Sequence, residues 1–87
     1  MSDTQPDPRI SDAVTEVVMR ILSVSEEEVT PESRLGDDLD ADSLDLSEIA
    51  AALVARGFVV DKADVKARAS TVADLIALVG APSEPAA

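Results

Sequence analysis

Ile10, Val14, Val17, Val18 and Ile21 recur at helical spacing, with Leu22 widening the stripe, and this run constrains the fold more than any other feature. A face so apolar has to be covered by another element, so the chain must supply further helices or sheets to bury it. The spacing predicts a first helix over about residues 9–22. Leu46, Ile49, Ala50 and Leu53 repeat the pattern in a second helix from Ser43 to about Arg56, where Gly57 is a natural stop. Val72, Leu75, Ile76 and Val79 form a third stripe, opened by Ser70 or Thr71 as cap and closed by Gly80 and Pro82. Between the last two, Asp61 can cap a short helical piece running to about Arg68, although Ala63, Val65 and Ala67 also fit strand alternation. The expected fold is therefore all-α: a small bundle of three principal helices, one short third helix, and a long loop after the first.

That loop, residues 23–42, would be unusual in a small domain if it lacked anchors. Val24, Val29, Leu35 and Leu39 are spaced to pin it to the helices, Glu26-Glu27-Glu28 can make a short turn, and Gly36 permits a tight one. Residues 1–8 and 81–87 carry Pro and polar or small residues without apolar periodicity, so they are expected as tails around one domain over 9–80. Asp7-Pro8 can open the first helix.

Composition excludes several classes of chemistry. The chain of 87 residues has no cysteine and no histidine, which removes disulfides, thiolate nucleophiles, the usual zinc ligands and every serine–histidine hydrolytic arrangement. Its formal charge is −11, which opposes binding to nucleic acid or anionic membranes and favours a basic protein surface as partner. No segment approaches the length of a membrane span, and the first residues lack a basic and apolar leader pattern, so a cytoplasmic monomer is expected. Phe58 is the single aromatic residue, leaving a core of Val, Leu, Ile and Ala that should be thin and easily opened.

Ser43 is the candidate for chemistry. At the start of a helix a serine is an ordinary N-cap, and position alone favours that reading. Its setting, Leu39-Asp40-Ala41-Asp42-Ser43-Leu44-Asp45-Leu46, resembles the phosphopantetheine attachment motif of acyl carrier proteins. The resemblance extends over about residues 9–80, taking in the Ser25-Glu26-Glu27-Glu28-Val29 block and Thr71-Val72-Ala73-Asp74-Leu75 in family order. Asp-Ser-Leu is more like discrete fatty-acid and polyketide carriers than peptidyl carriers.

The resemblance implies that Ser43 carries 4′-phosphopantetheine from coenzyme A, that Asp42 helps position a phosphopantetheinyl transferase, and that acyl groups ride on the arm as thioesters. It implies a carrier that catalyses nothing itself, which fits the missing cysteine and histidine, because the sulfur comes from the cofactor and the bases from partner enzymes. Helical geometry of about 100° per residue places Leu44 opposite Leu46 and Leu53 and beside Glu48. By the resemblance, Leu44 contacts acyl-loading and acyl-processing enzymes, with Asp38, Asp45 and Glu48 as an acidic rim that steers their basic patches.

Three departures point to a specialised pathway. Asp40 stands where the family often has glycine. The outward face beyond Glu48 continues as Ala51, Ala52 and Ala55 instead of carboxylates, and Phe58-Val59-Val60-Asp61-Lys62-Ala63-Asp64 with Lys66 and Arg68 makes the third helical region mixed in charge.

A calcium-binding module is the alternative of another class, since Asp38, Asp40 and Asp42 alternate like the first ligands of an EF-hand. Counted from Asp38, Ser43 occupies the glycine position and Ile49 the bidentate glutamate position. Counted from Asp37, Leu39 and Ala41 fall where ligands belong. No metal site is therefore assigned. A non-carrier acidic interaction protein remains the other alternative, and genomic context would separate pathways better than these residues.

Overall fold

The computed structural model describes residues 8–80; both expected tails lie largely outside that range. The described chain is all-helical: α1 Pro8–Leu22, a 3₁₀ turn Glu26–Glu28, α2 Ser43–Ala55, α3 Lys62–Arg68 and α4 Val72–Leu78. Helix α1 packs on α2 and α4, and α3 closes the bundle against α2 and α4. Val14, Val18, Ile49, Leu53, Val65 and Leu75 are fully buried at its centre. All but Val65 come from the predicted stripes, and the short helical reading of 62–68 prevails over strand alternation because Val65 alone of that segment enters the core.

Helix ends follow local chemistry closely. Pro8 opens α1, where its missing N–H leaves no intrahelical bond unmade, so the helix begins one residue inside the segment expected as a tail. Ser23, at φ 57, turns the chain out of α1 in the left-handed region while Val24 N–H donates to the Met19 carbonyl at 3.2 Å. Helix α2 stops at Ala55, with Arg56 as its cap and Gly57 at φ 96. Phe58 N–H reaches back to Leu53 and Gly57 N–H to Val54, satisfying carbonyls that the helix leaves open. Asp61 caps α3 through Ala63 N–H at 2.8 Å. Thr71, and not Ser70, caps α4, receiving Asp74 N–H while the Asp74 carboxylate accepts from Thr71 N–H.

The long loop is anchored as its apolar residues suggest. Leu35 and Leu39 are buried, and Val24 and Val29 pack partly against the core. Its firmest attachment is to α4: the Pro31 and Ser33 carbonyls accept from Ala73 and Val72 N–H at 3.0 Å each, and Leu35 N–H donates to Ser70 at 2.9 Å. Ser33, the one buried polar residue among those described, is fully engaged, its hydroxyl donating to the Glu28 carbonyl at 2.7 Å and accepting from Thr30 N–H. At the other side of the bundle Val59 and Gly80 exchange backbone hydrogen bonds of 3.1 and 2.7 Å, tying the α2–α3 connection to the end of α4. An Arg56–Glu16 pair at 2.8 Å links the end of α2 to α1. The hydrogen bond from Arg56, then its charge, holds the Glu16 carboxyl below its ordinary value.

Candidate functional site

The loop reaches α2 through a tight coil. Asp38 and Leu39 N–H both donate to the Arg34 carbonyl, Asp40 N–H to Gly36, and Ala41 N–H to Leu35 at 2.8 Å. Within it the left-handed residue is Asp40, at φ 64, while Gly36 needs no such freedom; a Cβ there would sit at an ordinary 3.8 Å from the Ala41 carbonyl. Aspartate tolerates this region better than most side chains because its short carboxylate can bond locally, although it remains strained relative to glycine. The departure noted at this position thus keeps the turn and adds a charge.

Helix α2 is capped by Asp42, not by Ser43. Asp45 N–H donates to Asp42 Oδ1 at 2.9 Å, and Asp42 N–H donates to Asp45 Oδ2 at 3.2 Å, a reciprocal capping box. Ser43 consequently occupies the first helical position. Its side chain is exposed, and among the described residues its hydroxyl makes no hydrogen bond to the protein. The capping role that position alone favours for this serine is taken by its neighbour.

The other sequence-derived candidates surround this point with mixed duties. Leu44 is 67% exposed, next to Ser43 and one turn from the exposed Glu48. Asp38 accepts Arg34 N–H at 2.8 Å, so it fastens the loop as well as charging it. Asp45 likewise belongs to the helix cap. The Asp42-x-x-Asp45 spacing carried that signal in sequence, and reading Asp45 only as a rim charge missed it. Ala51 and Ala55 continue the exposed stripe of Leu44 and Glu48, whereas Ala52 is half-buried against the core and does not belong to it. Asp38 and Asp42, two of the three carboxylates with EF-hand-like alternation, are thus engaged with backbone amides.

Among the described residues, depressions border α2 on the loop side and on the side of Val60 and Lys62. The larger, about 530 Å³, opens between the loop, the start of α2 and the α3–α4 connection, bordered by Arg34, Leu35, Ala41, Leu46, Ser70 and Thr71. Leu46, expected in the buried stripe, is half-exposed at this rim. The smaller, about 280 Å³, is an apolar groove of Ala50, Ala51, Val54 and Val60 with Lys62 at its edge.

A four-helix bundle with a long tethered loop, delivering one uncommitted serine hydroxyl at the start of its second helix, defines a small carrier-type domain. Over residues 12–79 the chain matches the family described as the phosphopantetheine attachment site. It is 42% identical over 71 residues to an acyl carrier protein of Helicobacter hepaticus, covering 80% of this chain and 92% of the relative. Acyl carrier proteins of Thermotoga maritima (39% over 67 residues, 76% of this chain and 82% of the relative) and Wolinella succinogenes (41% over 68 residues, 77% and 88%) are similar to it as well. The chain belongs to the acyl carrier protein family, whose members are carriers and not enzymes, and whose cofactor is 4′-phosphopantetheine. Among the described residues no helix is long and apolar enough to cross a membrane.

Proposed function

We propose that Ser43 is the attachment residue and that the protein carries acyl intermediates for a fatty-acid, polyketide or related specialised biosynthetic line in the cytoplasm. The observation that supports this most is the exposed, unpartnered Ser43 hydroxyl at the first position of α2, freed by the Asp42–Asp45 capping box. A residue that has to be modified by another enzyme cannot also hold its helix together without loss on modification. Here the two tasks fall on adjacent residues.

The residues present fit the group. Ser43 would bear its phosphate at the amino end of α2, where backbone dipoles favour an anion. When attached, 4′-phosphopantetheine supplies a terminal thiol, the reactive sulfur that this cysteine-free chain lacks. The Ser43 proton must leave to a base on the transferase, since the chain has no histidine and the carboxylate of its neighbour in sequence, Asp42, is held by Asp45 N–H. Asp42 then serves mainly by fixing the start of α2, and so the direction in which the hydroxyl is presented.

In this reading Leu44 docks into an apolar recess on partner enzymes, and Asp38, Asp45 and Glu48 draw their basic surfaces toward it. Exposed charges of this kind act chiefly on encounter rates. Intact mass after incubation with coenzyme A, magnesium and a phosphopantetheinyl transferase tests the assignment. One addition of the phosphopantetheine mass is expected, and none for Ser43→Ala; modification that persists in that variant would refute it.

A further inference from the structure

We infer that the end of α2 and the start of α3 form a second docking surface, opposite in sign to the one around Leu44, and that it takes an acidic protein segment in which an apolar side chain is flanked by carboxylates. This goes beyond the carrier reading and does not depend on attachment at Ser43. The sequence divides its charge at Glu48. Residues 37–48 hold six carboxylates and no Lys or Arg, whereas residues 49–68 hold four cations against two carboxylates, on a chain whose net charge is −11.

Folding leaves two of those cations available. Arg56 is taken by Glu16 at 2.8 Å. Lys62 and Lys66 are exposed and, among the described residues, neither makes an ion pair or a hydrogen bond. Four residues apart on α3, they share a face. Of the two carboxylates nearby, Asp61 is engaged by Ala63 N–H, and Asp64 lies about 160° round the helix from each lysine. Lys62 also borders the groove of about 280 Å³, whose other walls are the apolar Ala50, Ala51, Val54 and Val60. Val54 is 53% exposed, and no carboxylate stands between Glu48 and Asp61 to place an anion beside it.

An occupant has to satisfy both features. An apolar side chain in the groove removes the surface of Ala51 and Val54 from water, and carboxylates beside it pair with Lys62 and Lys66 at the rim of the contact. A basic partner is repelled here and drawn to the start of α2 instead. The acidity of the rest of the chain does not prevent the approach. Asp45 lies nine residues before Val54, about 13 Å along the helix, which exceeds the screening length of about 8–10 Å at physiological salt. A second copy of this chain offers Leu44 between Asp45 and Glu48, yet it brings its own charge of −11, which opposes pairing. The occupant is therefore a segment of a different protein.

Amide NMR of the full chain in its unmodified form tests this separately from any chemistry at Ser43. A synthetic helical peptide with leucines on one face flanked by glutamates is titrated into the protein, alongside the same peptide with lysines in place of the glutamates. The glutamate peptide is expected to shift Ala51, Val54, Val60 and Lys62, and the lysine peptide to shift Asp38, Asp45 and Glu48. Lys62→Glu combined with Lys66→Glu should abolish the first set of shifts while the spectrum stays that of a folded protein, because both side chains are exposed. Lys62→Arg with Lys66→Arg should keep them, and Ala51→Glu, which sets a carboxylate on the groove, should remove them without touching α3. Both peptides shifting the same residues, no shift from the glutamate peptide, or a response to it that survives the two lysine reversals or Ala51→Glu would overturn the inference. Shifts at the groove on concentrating the protein alone would assign it to a second copy and overturn the choice of a different protein as occupant.

Discussion

Truncating Leu44 and truncating Leu53 to alanine should give opposite phenotypes, although both are leucines of α2. Leu53 is 0% exposed, so Leu53→Ala loses its burial and leaves a cavity, at a cost of about 2–5 kcal/mol. A domain this small has only about 5–10 kcal/mol in total, so the variant should lose a third or more of its stability and melt on the order of 10 °C or more lower. Leu44 is 67% exposed and keeps about a third of its side chain covered. With about 1.5–3 kcal/mol for burying a whole leucine, Leu44→Ala forfeits at most about 0.5–1 kcal/mol, part of which alanine's better helix propensity returns. Thermal unfolding followed by circular dichroism, alongside the rate of modification by the transferase, separates the two. Leu44→Ala should melt near the parent and be modified more slowly. If it melts as low as Leu53→Ala, or is modified at the parental rate by every enzyme tried, the division between a core leucine and a docking leucine is wrong.

The capping box makes a second division. Asp42→Ala should lose about 1 kcal/mol of stability in chemical denaturation, while Asp42→Asn, which keeps an acceptor for Asp45 N–H, should lose much less; equal losses would mean the cap is not the source. At Asp40, glycine should stabilise by up to about 1 kcal/mol and valine should destabilise by about 1–2 kcal/mol, because φ is positive there; denaturation midpoints in the reverse order would contradict that backbone. Combined Asp38→Asn, Asp45→Asn and Glu48→Gln changes, which keep acceptors for the loop and helix amides, should slow association with a basic partner severalfold and flatten its salt dependence by stopped-flow; rates indifferent to charge and salt would refute steering. Glu16 has a depressed pKa when folded, so its pairing with Arg56 stabilises above the ordinary carboxylate value of 4.5 and is lost as pH falls below it. Glu16→Gln should therefore narrow its stability difference from the parent on acidification, as read from denaturation at pH 7 and pH 3.

Much of this was legible before any coordinates. The aliphatic stripes of α1, α2 and α4 placed those helices to within a residue or two, because their burial needs one face at a fixed period. Leu35 and Leu39 announced themselves as loop anchors for the same reason. What escaped was set by backbone and pairing chemistry that periodicity does not record. The left-handed turn falls on Asp40 while Gly36 adopts a conformation open to any residue, a choice made by how the coil closes on Leu35. The carboxylate of Asp45 looked like surface charge and is half of a helix cap.

The bonds from Val72 and Ala73 to the loop carbonyls have a consequence for the order in which the molecule is completed. Helix α4 is too short to persist alone and takes acceptors for its first donors from a segment made much earlier in the chain, so neither part is finished without the other. During synthesis from the amino end, the segment leading to Ser43 therefore stays unlatched until the chain has been extended past Ala73. The loop that leads to Ser43 is, by this connection, completed only together with the last helix.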